Sequence, residues 1–150
     1  MSERVSRFYL MLLYARKLRD WVGRLVFVIK SWFRDLEYVP VSEERFRELI
    51  EWWVRDVLPL LHYTPETFDC DDYSAYFKAW FNFESRTNAC AEAIGEARLP
   101  DGSRVGHEWV GVLVRTSKGV KVVFVEPQTG EVFEERTTDG WDYYLRAVIA

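Results

Sequence analysis

The sequence predicts an α+β domain, helices first and an antiparallel β-meander after them, and three observations lead there. Apolar residues recur at helical spacing through residues 6–36 and again through 42–61. Residues 68–80 then place a cysteine at the start of a third, central helix. From His107 onward the apolar period changes from helical to two, the mark of strands. At 150 residues, 49% hydrophobic and 17% aromatic, the chain can bury roughly 68–70% of its unfolded surface around one core.

The N-terminal segment, residues 1–37, reads as an amphipathic helical arm. Leu10, Leu13, Tyr14, Leu18, Trp21, Leu25, Ile29, Trp32 and Leu36 form its apolar stripe. A single helix over residues 6–36 would be about 45 Å long at ~1.5 Å per residue. That is too long for a small domain to cover, so it breaks (at Gly23), protrudes, or packs against a second copy. Packing of 6–36 within the chain, or against a second copy as a homo-oligomer, is the expected use. Basic residues beside Trp, Phe and Leu also fit an interfacial membrane helix, which is the lesser expectation.

Residues 38–150 form the main domain. Val39-Pro40-Val41 is extended, and Ser42 caps a helix whose stripe runs Phe46, Leu49, Ile50, Trp53, Val54, Val57, Leu60 and Leu61, with Pro59 closing or kinking it. A loop over 62–67 leads to Asp69-Cys70-Asp71-Asp72. Tyr73, Tyr76, Phe77 and Trp80 then lie on one helical stripe. Residues 84–106 are polar and small, ending in the turn signal of Pro100-Asp101-Gly102. Residues 107–115 and 119–126 are paired strands, and Val132 to Thr137 makes a third. The acidic tract 134–139 is a solvated turn, and Trp141 to Ala150 docks as an apolar tail.

The net charge of −4 argues against a nucleic-acid partner. Cys70 and Cys90 do not make a secreted disulfide framework, and His62 and His107 offer no zinc spacing. Phe8 to Ala15 resembles a signal core, but Arg16, Lys17, Arg19 and Asp20 follow with no cleavage site, and no run approaches the ~18 apolar residues of a span. A cytoplasmic location is the expectation. Asn and Gln together number three, and Arg outnumbers Lys, which hints at a hot-living source.

The chemistry-bearing residues are few. Cys70 at a helix N-terminus is where a thiolate can be held, although three neighbouring carboxylates oppose it. A reactive thiol needs a base, and the base an orienting group. A two-residue turn at Ser117-Lys118 sets a register in which His107 faces Gln128 and Trp109 faces Glu126, all on one face. His107 and Glu126 then lie on a diagonal that long side chains can close. Glu126 stands in line with the core residues Val120, Val122 and Phe124, so its carboxylate needs a partner. His62, eight residues before Cys70, is the competing base.

Phe68-Asp69-Cys70-Asp71-Asp72-Tyr73, His107-Glu108-Trp109 and Glu126-Pro127-Gln128-Thr129 together resemble papain-like and transglutaminase-like cysteine hydrolases. The resemblance is nearest to the C-terminal papain-like domain of the fairy-ring mushroom agglutinin and its microbial relatives, and covers roughly residues 38–137. It implies a papain-like fold, Cys70 as nucleophile, His107 as base and acid, Glu126 as orienter, and hydrolysis of a peptide or protein substrate. It also implies calcium, with Asp69, Asp71 or Asp72 as oxygen ligands. The family's glutamine upstream of the cysteine is missing, which leaves Gln128, with Trp109 in support, as the candidate oxyanion donor. Two rival readings stand beside this: a non-catalytic cation-binding or oligomerising module, and a membrane-peripheral or virion structural protein.

Overall fold

The computed structural model describes residues 4–18, 31–134 and 136–150. Its strands, in chain order, are β1 (Val5–Ser6), β2 (Glu37–Tyr38), β3 (Val41–Ser42), β4 (Cys90–Arg98), β5 (Arg104–Thr116), β6 (Gly119–Glu126), β7 (Glu131–Phe133) and β8 (Asp142–Ile149). Among the described residues the α-helices are α1 (Arg7–Ala15), α2 (Glu43–Trp52) and α3 (Cys70–Ser85). Five strands run antiparallel in the order β7-β6-β5-β4-β8, and β3 joins β5 in parallel, Val41 opposite Val114.

The β5–β6 hairpin forms in the expected register. Thr116 lies opposite Gly119 and Val110 opposite Val125. Its Val112, Leu113, Val114 and Val125 are at most 1% exposed, so both faces of the hairpin are covered there. The helix α3 packs on β5 and β4. Its Phe77 meets the Trp53 indole edge-on, ring centroids 4.7 Å apart, and stacks on Phe81 at 5.7 Å. Ser42 caps α2 by accepting from the Arg45 N–H at 3.2 Å. That helix then widens into a π-turn over Trp53–Val57 and stops in a 3₁₀ turn containing Pro59.

Sheet outweighs helix, and this corrects the expected layout of helices followed by a short meander. The polar stretch 84–106 contains the nine-residue strand β4. Its Ala91, Ala93 and Ala97 are buried but carry little strand preference, so pairing on both sides decides their state. Gly95 sits at a register shift between β4 and β8. A Cβ there would overlap the Tyr144 carbonyl and the Trp109 indole. The C-terminal tail is a full strand, β8, with Tyr143, Leu145, Ala147 and Val148 buried. By contrast the third meander strand is only three residues long.

The N-terminal arm is not one helix. Ser6 caps α1, which ends at Ala15, while Trp32 forms a parallel bridge with Ile149. Tyr14 anchors α1 over the sheet: its hydroxyl donates to the Gly111 carbonyl at 2.9 Å, where any Cβ would overlap its ring. The expected break at Gly23 lies outside the described residues, as does much of the surface invoked for oligomerisation through 6–36. No described helix is long and apolar enough to cross a membrane.

Candidate functional site

Cys70 is the first residue of α3, and a tight turn delivers it there. The Phe68 N–H donates to the Thr64 carbonyl at 2.8 Å, Glu66 takes a left-handed φ of 59°, and its N–H donates to Asp69 Oδ2 at 3.2 Å. Asp69 and Asp72 close the helix start as a capping box, the Asp69 N–H donating to Asp72 Oδ2 at 3.3 Å.

His107 comes from the first half of β5 and Glu126 from the last position of β6. The imidazole Nε2 lies 2.7 Å from Glu126 Oε2, and both side chains are nearly buried, 8% and 7% exposed. The Cys70 thiol neighbours the same imidazole and acts on its titration. Burial pulls the imidazole toward neutrality, but the bonds to Cys70 and Glu126 and their charges outweigh it, and its pKa is pushed up to about 9. His107 is therefore an imidazolium at neutral pH, held between sulfur and carboxylate.

Glu126 is held by more than His107. The Tyr143 hydroxyl donates to Oε2 at 2.8 Å, and the Gln128 backbone N–H donates to Oε1 at 3.2 Å. Burial, then the Glu126 charge, drives the Tyr143 phenol far above its ordinary value, so it stays a donor. Three aromatic rings surround the imidazole: Trp109 stacked at 6.2 Å, Trp141 at 5.8 Å and Tyr143 at 5.6 Å, the last two edge-on. A cavity of about 110 Å³ opens beside His107, walled by Trp141, Tyr143, Gln128, Thr129 and Asp139.

The structure thus brings together Cys70, His107 and Glu126, with the Gln128 backbone and the Trp109 ring as neighbours. Trp109 is fully buried, and its indole N–H has no partner among the described residues, nor does Ser74 Oγ. His62 is exposed in its loop. Of the three aspartates, Asp69 and Asp71 converge with the sulfur, their ligand atoms within 4.8 Å of one another, while Asp72 caps the helix. Sequence reasoning missed Tyr143 and Trp141. The alternation of residues 142–149 was their only signal, and it is no stronger than that of a docked tail.

No family model and no curated protein matches the chain. Solved structures do. One titled "PSL1a-E64 complex" is similar with a TM-score of 0.64 and 22% identity, over 98% of this chain and 50% of that one. The Polyporus squamosus lectin, titled as bound to the epitope Neu5Aca2-6Galb1-4GlcNAc, is similar at 0.58 and 23%, over 95% and 47%. At that identity the likeness shows the fold, and the chain spans about half the length of each.

These similarities correct the functional expectation. One of the two is titled as a lectin, and neither title names a peptidase. The α+β papain-like class, the cysteine hydrolase or peptidase activity, and the peptide or protein substrate are set aside. The physical reason is that three converging side chains define a local chemistry, which many frames can carry, and do not by themselves name a fold or a turnover reaction.

Proposed function

We propose that the chain is a ligand-binding module of lectin type whose recognition centre is the cleft at Cys70, His107 and Glu126, with the Cys70 sulfur as a nucleophilic anchor. The observation that carries this reading is the nearly buried His107 ring, 2.7 Å from the Glu126 carboxylate and beside the Cys70 thiol. Cys70 is the attacking atom, His107 the proton store and Glu126 its orienter; Gln128 and Trp109 support them. An electrophilic ligand such as an epoxide would be captured as follows. The thiolate sulfur attacks an epoxide carbon, the C–O bond breaks, and the resulting alkoxide takes the proton from His107. No bond of a peptide is cleaved.

E64, an epoxide that alkylates thiols, is the probe. The expected result is a single adduct mapping to Cys70, slowed at least ~100-fold in His107→Ala, with Cys90 unlabelled. Cys90 is 1% exposed, and burial pushes its thiol far up. No adduct, or equal labelling of both thiols, would overturn the reading. Two free thiols also fit a reducing compartment such as the cytoplasm.

The cavity beside His107 favours a second reading, glycan recognition. Trp141 and Tyr143 offer apolar faces, and Gln128, Thr129 and Asp139 offer groups that pair with sugar hydroxyls. Calorimetric titration with Neu5Aca2-6Galb1-4GlcNAc tests it: binding lost in Trp141→Ala supports glycan recognition here, and no heat with the unmodified chain refutes it. Calcium at Asp69 and Asp71 is part of the proposal too, as a cation that would offset the carboxylates around Cys70.

A further inference from the structure

Glu126 Oε2 accepts two hydrogen bonds, from His107 at 2.7 Å and from the Tyr143 hydroxyl at 2.8 Å. Tyr143 comes from β8, at the opposite edge of the sheet from β7, where it lies opposite Ala97 of β4. Its ring is packed tightly, 4.3 Å from Phe133 and 5.0 Å from Trp109, and the residue is 8% exposed. The hydroxyl thus has a fixed direction, and Glu126 is its partner. From this we infer that Tyr143 is a positioning residue that tempers the basicity of the His107–Glu126 pair, an inference that rests on the reading of Cys70 as a nucleophilic anchor.

The physics gives a sign. A hydroxyl donating to a carboxylate stabilises it most when the carboxylate stands alone, and less once an imidazolium already neutralises it. Tyr143 therefore favours the state in which His107 has given up its proton, and it lowers the proton affinity of the ring. Without it, the imidazolium would be a weaker acid and a poorer proton donor to an alkoxide formed at Cys70. The other charged groups near Tyr143, Asp139 and Glu131, keep the phenol protonated. The hydroxyl itself donates to Glu126, while Asp139 accepts from the Thr137 hydroxyl and Glu131 from the Thr138 N–H.

The test is Tyr143→Phe, which removes one oxygen and keeps the ring. His107 is titrated by NMR, and E64 alkylation of Cys70 is followed against pH in the same samples. The expected result is an upward shift of the His107 pKa by roughly half a unit or more, with the alkaline limb of alkylation moving with it. In Glu126→Gln the same substitution should shift nothing further, because the partner carboxylate is gone. An unchanged His107 pKa in Tyr143→Phe, a downward shift, or an equal shift in the Glu126→Gln background would overturn the inference. Failure of E64 to label the unmodified chain would instead sink the reading beneath it, and the NMR titration tells the two apart.

Discussion

The indole N–H of Trp53 donates to the Pro127 carbonyl at 2.8 Å, across a buried contact between the π-turn and the turn that follows Glu126. On the other side of that turn Gly130 has a φ of 74°, and a Cβ there would overlap the Val54 side chain. The π-turn and the Glu126 turn are thus fitted to each other. Trp53→Phe should cost about 1–3 kcal/mol, from an unpaired buried carbonyl and lost volume. Gly130→Ala should cost a similar ~1–3 kcal/mol through its left-handed backbone and the overlap. Denaturant melts read both, and a neutral Gly130→Ala would show that the two turns are not in register.

His107 makes stability depend on pH. Its pKa is about 9 in the fold, against about 6.5 in an unfolded chain. A raised value means its contribution is full below about pH 6.5 and is lost as pH rises through 9. At ~1.4 kcal/mol per unit, the upper bound is about 3–4 kcal/mol. The stability gap between the unmodified chain and His107→Gln should therefore be widest in mild acid and close in alkali. Parallel thermal melts across that range would show it, and a gap that does not narrow contradicts the raised pKa.

The His107–Glu126 contact was legible because it needs only local rules. A two-residue turn fixes the β5–β6 register, and alternation then puts both side chains on one face. Tyr143 was not legible, because β8 reaches the site only through β4, whose alanines carry no strand signal and whose pairing spans some 50 residues (Glu96 opposite Tyr144, for example). The end of α1 at Ala15 was hidden for a similar reason. Its apolar spacing continues past the helix, but residues 31–36 run beside β8 through backbone hydrogen bonds, the Trp32 N–H donating to the Val148 carbonyl, and the stripe residues Trp32 and Leu36 stay exposed. The likeness to lectins was carried by no motif at all, only by the path of the chain.

The Asp69 and Asp71 carboxylates lie within 4.8 Å of each other, and their interaction holds the Asp69 carboxyl below the usual carboxylate range and the Asp71 carboxyl above it. A divalent cation seated between them would offset the repulsion of the two carboxylates. Millimolar calcium should raise the melting temperature of the unmodified chain and leave Asp71→Asn unmoved. The stabilisation should also weaken in acid, as the proton competes. Equal stabilisation of both proteins would place the cation elsewhere.

Glu108 stands beside His107 on β5 but faces other charges. Burial first, then the charges of Glu92 and Asp71, push its pKa up to about 8, with His107 and Lys78 opposing. Lys78 is already paired, its Nζ 3.1 Å from Glu92 and donating to the Ile149 carbonyl at 2.9 Å, so it neutralises Glu108 only in part. A carboxyl raised in the fold contributes stability below its unfolded value of about 4.5, and loses it as pH climbs through about 8. Glu108→Gln should thus match the unmodified chain in acid and melt at a higher temperature above pH ~8. Because Glu108 is partly solvated, screening reduces the size of the effect but not its direction. A variant that melts lower in alkali would mean that the Glu108 carboxylate is stabilised in the fold by a partner.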